Sequence, residues 1–262
     1  MKESNPLIHP SAIIDPSAVL ATGVRVGPWT IIGPDVEIAE DTTIASHVVI
    51  KGPCKIGKNN QIFQFCSIGE DCQDKKYNGE QTYLQIGDNN IFRESCTIHR
   101  GTVQDNALTL IGSNNLFMVN VHVAHDCVIG DHVIMANNSA AAGHVRISDK
   151  AILGGFTAVH QFCHIGTAVM CAAGTVIFKD IPAFVMSAGN PAKPHGINAE
   201  GLKRSGYSPQ SIAQIKRAYK IIYRQQLSME DAIAKLQTMV TATPQIEILL
   251  TSLQQSTRGI IR

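Results

Sequence analysis

Apolar side chains recur at every sixth position along most of the chain. The series covers residues 8–68, resumes over 86–98 and continues over 111–177, and every member is apolar. A second series, four residues after each member, consists mostly of small or β-branched residues. A period of six residues matches neither the 3.6 residues per turn of an α-helix nor the two-residue alternation of an ordinary strand. It predicts a parallel β-helix with a short strand and a turn in each hexad and three hexads in each coil, with coils about 4.8 Å apart.

This interpretation explains the composition. Hydrophobic residues make up 44% of the chain but aromatic residues only 5%, and the thin interior of a three-sided coil suits Ile and Val columns better than rings. The seven cysteines include no CxxC pair, which disfavours a disulfide framework or zinc ribbon and is typical of reduced cytosolic thiols. Only Cys72 lies outside the repeat, and the inward positions are expected to hold Cys54, Cys66, Cys96, Cys127, Cys163 and Cys171.

Two polar segments interrupt the repeat and predict loops at about 70–84 and 100–110. Loops that leave a rigid solenoid are favoured places for functional residues. The repeat ends near Ile181-Pro182, and we expect a β-helical domain over 1–190 and a C-terminal helical domain over 191–262, with 190–197 as a linker. Helices are predicted to begin at Ser208-Pro209, at Ser228 and at Thr243-Pro244, following the rules for helix starts.

The charge balance restricts the partners. The formal net charge is +1, whereas nucleic-acid-binding domains usually carry a large basic excess, so no nucleic-acid partner is expected. No apolar run reaches the roughly 20 residues that a membrane helix needs, and residues 1–6 contain no apolar signal segment. We therefore expect a cytoplasmic protein without a membrane span.

Several of the ten histidines fall within residues 99–164. Adding 18 residues moves one coil along the same edge of the solenoid, so His125 stacks below Gly143 and Asp126 below His144. The same spacing brings His160 to this edge, and His122 lies on the same coil as His125. The small side chains of 140–142 leave space between the histidines.

A groove lined by imidazoles, with an exposed Gly143 N–H over His125, suits acyl transfer. His125 would act as general base, and the Gly143 amide would stabilise an oxyanion. Asp126 could orient the imidazole. Solvent-exposed surface histidines are an alternative interpretation. A metal site is another, because His122 with His125 and His160 with His164 have ligand spacing, although no carboxylate or Cys set completes a clear site.

Five sequence motifs together resemble the UDP-N-acetylglucosamine O-acyltransferase family, the first enzymes of lipid A synthesis in Gram-negative bacteria. The resemblance covers nearly the whole chain, and the combination is specific because the hexapeptides alone are shared by many acyltransferases. The motifs are Ile-His-Arg-Gly-Thr at 98–102, His-x-x-His-Asp at 122–126, Ala-Gly-His at 142–144, Ala-Val-His-Gln-Phe at 158–162 and Asn-x-Glu-Gly-Leu-Lys-Arg at 198–204.

The resemblance implies a left-handed parallel β-helix and a homotrimer with active sites between subunits. It implies that His125, with Asp126 as partner, deprotonates the sugar 3-hydroxyl for direct attack on a 3-hydroxyacyl thioester of acyl carrier protein, without an acyl-enzyme and without a cofactor or metal. Gly143 N–H would hold the oxyanion. The residues implied in binding the nucleotide sugar and acyl chain are Gln73, Asp74, Lys76, His122, His144, His160, Gln161, Asn198, Glu200 and Arg204.

Two positions depart from the family pattern. Ser205 stands where a second basic residue is expected, which predicts fewer phosphate contacts. Ala173 stands where a glycine would let the acyl tail run deeper. Ala173 and Met170 are therefore the expected determinants of acyl-chain length, with the methyl group of Ala173 favouring shorter chains.

Charge is distributed unevenly along the chain. Residues 193–262 contain 10 Lys and Arg against 4 Asp and Glu, whereas residues 1–192 contain 12 against 17. Lys216, Lys220 and Arg224 share one face of the predicted first tail helix, with Arg217 beside them. Because acyl carrier proteins are strongly acidic, this face is a candidate docking site. An ordinary solvated helix face is the alternative.

Two other functions fit the solenoid. One is a metal-dependent hydratase resembling the gamma carbonic anhydrases, which metal analysis would distinguish. The other is a non-catalytic scaffold, for which His125→Ala would change nothing measurable. The 198–204 motif and the basic helix face fit only the acyltransferase well.

Overall fold

The structure is a computed structural model that describes residues 7–241 and 243–262. Residues 1–6, where the sequence predicts no signal segment, lie outside this description. Within the described part of the chain, no helix has the length and apolar character needed to cross a bilayer.

Within the described residues, short strands form three sheets that wrap into a triangular coil, and all the strand pairs are parallel except the last pair of the third sheet. The first sheet carries the functional residues discussed below and consists of Ile13–Ile14, Ile31–Ile32, Val49–Ile50, Ser67–Glu70, Thr97–His99, His122–Val123, Ala140–Ala141, Ala158–Val159 and Val176–Ile177. The second consists of Val19–Leu20, Val36–Ile38, Cys54–Ile56, Tyr83–Ile86, Leu108–Ile111, Val128–Ile129, Arg146–Ile147 and His164–Ile165.

The third sheet extends past the repeat. Its strands are Arg25–Val26, Thr43–Ile44, Gln61–Ile62, Ile91–Phe92, Leu116–Phe117, Ile134–Met135, Ile152–Leu153, Met170–Cys171, Val185–Ala188 and Lys193–Ile197. The last strand pairs antiparallel with Val185–Ala188. The predicted linker 190–197 is therefore partly a strand, since a chain that has reversed direction can still pair with the final edge of the sheet.

The six-residue columns form the core. The side chains from Val26 through Ile177 in the predicted series are buried, whereas Ile8 at the open end of the solenoid is 42% exposed. All seven cysteines are free and buried. Burial raises the pKa of the Cys54 and Cys127 thiols to about 12, which agrees with their expected structural role.

Buried asparagines connect the coils on either side of the two loops. The Asn60 side-chain oxygen accepts a hydrogen bond from the Asn90 backbone N–H at 2.8 Å, and Asn90 accepts one from Asn115 at 2.9 Å. Asn115 in turn accepts one from the Val133 N–H at 2.6 Å. These coils are separated by 30 and 25 residues instead of 18, because the loops 71–82 and 100–107 leave the solenoid here.

In the part of the tail that the structure describes, four helices follow the solenoid: α1 Ala199–Arg204, α2 Pro209–Arg224, α3 Met229–Gln237 and α4 Gln245–Gln254. Ser208 and Ser228 cap α2 and α3 as predicted, each accepting a hydrogen bond from the backbone three residues on. The short α1 was not expected. The helices bury a second apolar cluster against the end of the solenoid, in which Leu202, Ile215 and Leu250 join Ala183 and Phe184.

Candidate active site

A histidine and an aspartate form a hydrogen-bonded pair on one edge of the solenoid. His125 Nδ1 lies 2.8 Å from Asp126 Oδ2, although the two residues are adjacent in the chain. The pairing is possible because Asp126 lies at a coil corner with φ of 57°, a left-handed conformation that Asp tolerates better than most residues.

The carboxylate of Asp126 is buried, and both of its oxygens have hydrogen-bonding partners. It is 4% exposed, and it accepts hydrogen bonds from the backbone N–H of Thr102 at 2.8 Å and from the Thr102 hydroxyl at 2.6 Å. Burial alone would raise the pKa of Asp126, but hydrogen bonds from His125 and Thr102 outweigh it and lower that pKa. An ionised carboxylate can only accept, so this contact selects the tautomer of the neutral His125 ring with its proton on Nδ1 and the lone pair on Nε2.

Gly143 lies against the His125 ring. A Cβ atom at this position would be 2.5 Å from both Cε1 and Nε2 of His125, so any other residue would displace the imidazole. Among the described residues, the Gly143 N–H has no backbone or side-chain acceptor. The His125 imidazole and a free amide donor therefore lie side by side, which is a geometry suited to acyl transfer.

A second imidazole lies on the next coil. His144 and His125 are in edge-to-face contact with ring centroids 5.0 Å apart, and Phe162 stacks on the other side of His144 at 4.3 Å. His144 Nδ1 lies 2.9 Å from Asp105 Oδ2 in the loop 100–107. The loop thus folds back onto the histidine edge and orients this ring.

His122 and His99 continue the histidine cluster on the first sheet. Their rings are edge to face at 5.1 Å, His122 Nδ1 lies 2.8 Å from Thr97 Oγ1, and His99 Nε2 lies 3.3 Å from Gln73 Nε2. Burial, reinforced by the neighbouring His122, lowers the pKa of His99 to about 4. Burial and His125 also lower the pKa of His122. Both rings are neutral near pH 7 and serve as hydrogen-bonding groups.

Two adjoining cavities share His125 and Asp74. One has a volume of about 420 Å³ and an apolar floor of Ala140, Ala142 and Ala158, with Gln73, His99 and His122 at its wall. The other has a volume of about 460 Å³ and is polar, lined by Lys76, Thr102, Asp105, His144 and Gln161 among others. The predicted residues Gln73, Asp74, Lys76, His122, His144 and Gln161 therefore all come together around His125 and Gly143.

The remaining predicted binding residues lie outside both cavities. His160 is near Phe178, with ring centroids 5.8 Å apart. Asn198 caps α1: its side-chain oxygen accepts from Gly201 N–H and its amide donates to the Ala168 carbonyl, each at 3.0 Å. Glu200 and Arg204 are exposed on α1.

The residues predicted to affect acyl-chain length lie further along the solenoid. Ala173 is exposed at a coil corner, and Met170 is half-buried on the third sheet. The alanine floor follows one column of the first sheet, in which His122 pairs with Ala140, Ala140 with Ala158, and Ala158 with Val176. Val176 and the Ala173 corner belong to the same coil, at the end of this column.

Sequence reasoning missed Thr102, Asp105 and His99. Thr102 and His99 belong to the Ile-His-Arg-Gly-Thr motif, so a signal was present, but the 18-residue spacing does not hold across the two loops. Only the folded loop shows that Thr102 reaches Asp126 and Asp105 reaches His144.

His125, Asp126 and His144 place one donor atom each within 4.8 Å of one another, so the cluster could bind a metal ion. The hydrogen bonds argue for another use of these groups. Asp126 already accepts two hydrogen bonds from Thr102 and is paired with His125, so its oxygens have partners and it holds the imidazole in a fixed orientation.

Comparisons with known proteins support the fold and identify the family. Residues 180–261 match the family described as Udp N-acetylglucosamine O-acyltransferase, domain 2, and residues 109–140 match the bacterial transferase hexapeptide family. The Acyl-[acyl-carrier-protein]--UDP-N-acetylglucosamine O-acyltransferase of Stutzerimonas stutzeri (strain A1501) is 56% identical over 98% of this chain and 99% of its own length.

Solved structures extend the similarity to the fold. LpxA from Acinetobacter baumannii superimposes with a TM-score of 0.95 at 52% identity, covering 98% of this chain and all of its own. The Arabidopsis UDP-N-acetylglucosamine acyltransferase superimposes with a TM-score of 0.86 at 35% identity. The match covers 98% of this chain and 100% of the Arabidopsis chain. These matches confirm the predicted left-handed parallel β-helix of hexapeptide repeats with a helical tail. Together with the His125, Asp126 and Gly143 geometry on that solenoid, they show that the chain belongs to the UDP-N-acetylglucosamine O-acyltransferase family.

Proposed function

We propose that this protein transfers a 3-hydroxyacyl chain from acyl carrier protein to the 3-hydroxyl of UDP-N-acetylglucosamine, the first step of lipid A biosynthesis. The observation that carries the proposal is the His125 imidazole, fixed by the buried Asp126 and in contact with Gly143. The names of its relatives describe acyl transfer from acyl carrier protein to UDP-N-acetylglucosamine by those proteins.

His125 acts as the general base. Its Nδ1–H donates to Asp126, so Nε2 accepts the proton as the sugar hydroxyl attacks the thioester carbon. Asp126 stabilises the imidazolium that forms, and Thr102 keeps the carboxylate in position through two hydrogen bonds. Positioned proton transfer of this kind contributes about 10²- to 10⁴-fold to a rate.

The carbonyl oxygen becomes an oxyanion when the oxygen–carbon bond forms, and Gly143 N–H donates to it. As the intermediate collapses, the carbon–sulfur bond breaks and the proton on His125 passes to the departing thiolate. The products are the acylated sugar nucleotide and the free carrier thiol, and the imidazole returns to its starting state. The cysteines are buried structural residues, so direct attack is preferred over an acyl-enzyme.

The two cavities provide separate places for the two reacting groups. The alanine floor of the first suits the acyl chain, which would run from His125 towards the coil of Ala173 and Val176. The polar cavity, with Lys76, His144 and Gln161, suits the sugar. Asp74 and His125 border both cavities and therefore lie where the groups meet.

A homotrimer with sites between subunits completes the proposal. Asn198, Glu200 and Arg204 lie outside both cavities within one chain, and Arg204 is suited to phosphate because its guanidinium pairs with phosphate oxygens. A neighbouring copy would bring such tail residues, and His160, to the nucleotide end of the site. Ser205 ends α1 as its C-terminal cap and offers no second cation there.

The carrier protein would dock on α2. Lys216, Arg217, Lys220 and Arg224 are all exposed, and within the described residues none of them forms an ion pair. This leaves a row of cations available to an acidic partner. We further propose that the reaction takes place in the cytoplasm, without a cofactor or metal ion.

An assay with UDP-N-acetylglucosamine and a series of 3-hydroxyacyl carrier thioesters tests the function. Wild type should release carrier thiol only when the nucleotide sugar is present, and His125→Ala should reduce kcat by 10²-fold or more. A wild-type enzyme that is inactive with every chain length would refute the proposal.

A further inference from the structure

We propose that Arg100 is a positioning residue that holds the substrate-facing loop 71–82 against the solenoid through Asp71 and Tyr77. This inference rests on the proposed function only where it predicts kinetics. The contacts themselves come from the fold, and neither Arg100, Asp71 nor Tyr77 lines the cavities around His125.

The guanidinium of Arg100 is removed from water. The residue is 5% exposed, and its side chain donates to the Gly69 carbonyl and forms an ion pair with Asp71. Its Nε has no partner among the described residues. A buried cation depends strongly on the few partners it has, because losing one leaves charge uncompensated in a low-dielectric environment.

Tyr77 connects the same group to the far end of the loop. Its hydroxyl accepts from Arg100 at 3.3 Å, lies 3.2 Å from Asp71 Oδ1 and donates to the Glu80 carbonyl at 3.0 Å. The backbone N–H of Arg100 also donates to the Glu70 carbonyl at 3.0 Å. Arg100 therefore contacts the beginning of the loop directly and reaches its end through Tyr77.

The loop places its next residues in the site. Gln73 and Asp74 line the cavity with the alanine floor, and Gln73 contacts His99, the residue immediately before Arg100. Asp74 also lines the polar cavity, as does Lys76. An error in the position of Asp71 or Tyr77 would therefore move the wall that faces both substrates, while the His125–Asp126 pair would stay in place on the solenoid.

Asp71→Ala and Tyr77→Phe test the inference in the full-length protein. Both should increase amide hydrogen exchange of residues 72–80 by about tenfold or more, with no change over the strands of 140–177. Both should raise KM by about tenfold with kcat within about threefold, because binding contacts are lost and the base is kept. In the double variant of Asp71→Ala and Gln73→Ala, the rise in KM should be smaller than the two single effects combined. Both changes act on the same loop contacts with the substrate, so their effects should not add.

Glu37→Gln is the matched control, since it breaks the Lys55–Glu37 ion pair, 3.1 Å long, on a different sheet. It should change neither exchange in the loop nor KM. Unchanged exchange in both loop variants, or a fall in kcat with KM unaltered, would overturn the inference. If wild type transferred no acyl chain but the loop variants lost protection, the positioning role would stand and the proposed function would fail.

Discussion

Thr102 donates both its backbone N–H and its hydroxyl to the carboxylate of Asp126, at 2.8 and 2.6 Å. Thr102 leaves the solenoid at the start of one loop, and Asp126 lies one coil later. The pair therefore links a loop to the residue that holds the His125 imidazole. Two donors on one carboxylate keep it ionised and fixed. A change at Thr102 should therefore alter the position of the His125 ring that Asp126 holds.

Thr102→Val removes the hydroxyl donor and leaves the N–H. We expect kcat to fall about tenfold, in line with the loss of one hydrogen bond to a charged group. The pKa of Asp126 should rise towards its ordinary value, since one of the bonds that lowers it is lost. Thr157→Val, at a buried position in another coil, is the control and should keep full activity. Equal activity of both variants would contradict the role given to Thr102.

Gly143→Ala places a methyl group 2.5 Å from His125 Nε2 and Cε1. The imidazole must move, and we expect kcat to fall by about 10²-fold or more because the base and the oxyanion donor lose alignment. Gly155→Ala makes the same chemical change where the new Cβ meets only the Asn137 carbonyl at 3.3 Å. Thermal unfolding should show both variants folded, and retention of wild-type kcat in Gly143→Ala would argue against the arrangement.

His99 makes stability sensitive to acid. Its pKa is lowered from 6.5 to about 4 in the folded protein, so below pH 6.5 the unfolded chain binds the proton first. The contribution of neutral His99 to the free energy of unfolding is fully present above about pH 6.5. As the pH falls to about 4, the free energy of unfolding decreases by about 3 kcal/mol. His99→Gln should lose correspondingly less unfolding free energy between pH 7 and pH 4. Urea unfolding at the two pH values measures this difference. Parallel losses in the two proteins would exclude this origin, and NMR should show His99 neutral at pH 5.

Ala173→Gly should shift acyl-chain preference towards longer chains. Removal of one methyl group opens the corner beyond the alanine floor, and a methylene-sized change in an apolar pocket alters kcat/KM by about 10- to 200-fold. The measurement is a competition between carrier thioesters of different chain length. Ala173→Val should shift the preference the other way. A preference that is the same in all three proteins would remove Ala173 as the determinant.

Lys220→Glu with Arg224→Glu reverses two exposed charges on α2. We expect KM for the carrier thioester to rise about tenfold or more at low salt, with less effect at high salt because the attraction is screened. KM for the nucleotide sugar should stay the same. Arg25→Glu, exposed on the strand at the opposite edge of the third sheet from the helical tail, supplies a charge reversal far from this face, and an equal effect from it would indicate general electrostatics instead of docking.

Much of the fold could be predicted because one period governs most of the chain. The column from Val26 to Ile177 and the loop positions follow from counting residues, and the edge shared by His125, Asp126, Gly143 and His144 follows from adding 18. Counting fails where the chain leaves the solenoid. The contacts of Thr102, Asp105 and Arg100 depend on how two irregular loops fold, and no periodic rule describes those loops.

The tail shows a different limit of prediction. Ser208 and Ser228 were identified as helix starts from local cap chemistry alone. The sequence predicts a linker over 190–197, but residues Lys193–Ile197 form a strand, although Pro and Gly disfavour strands in general. It forms at the end of the sheet, where one side has no further partner strand. The strand conformation of this segment depends on pairing with Val185–Ala188, and local composition does not predict that pairing.

The asparagine series has a consequence for how this enzyme can change through evolution. Asn60, Asn90 and Asn115 carry the hydrogen bonding from coil to coil past both loops, so the stacking order does not depend on the number of residues that leave the solenoid between them. Insertions or deletions in either loop can reshape the wall of the pocket while the scaffold keeps its alignment. Substrate preference and folding can thus diversify independently within a single continuous chain.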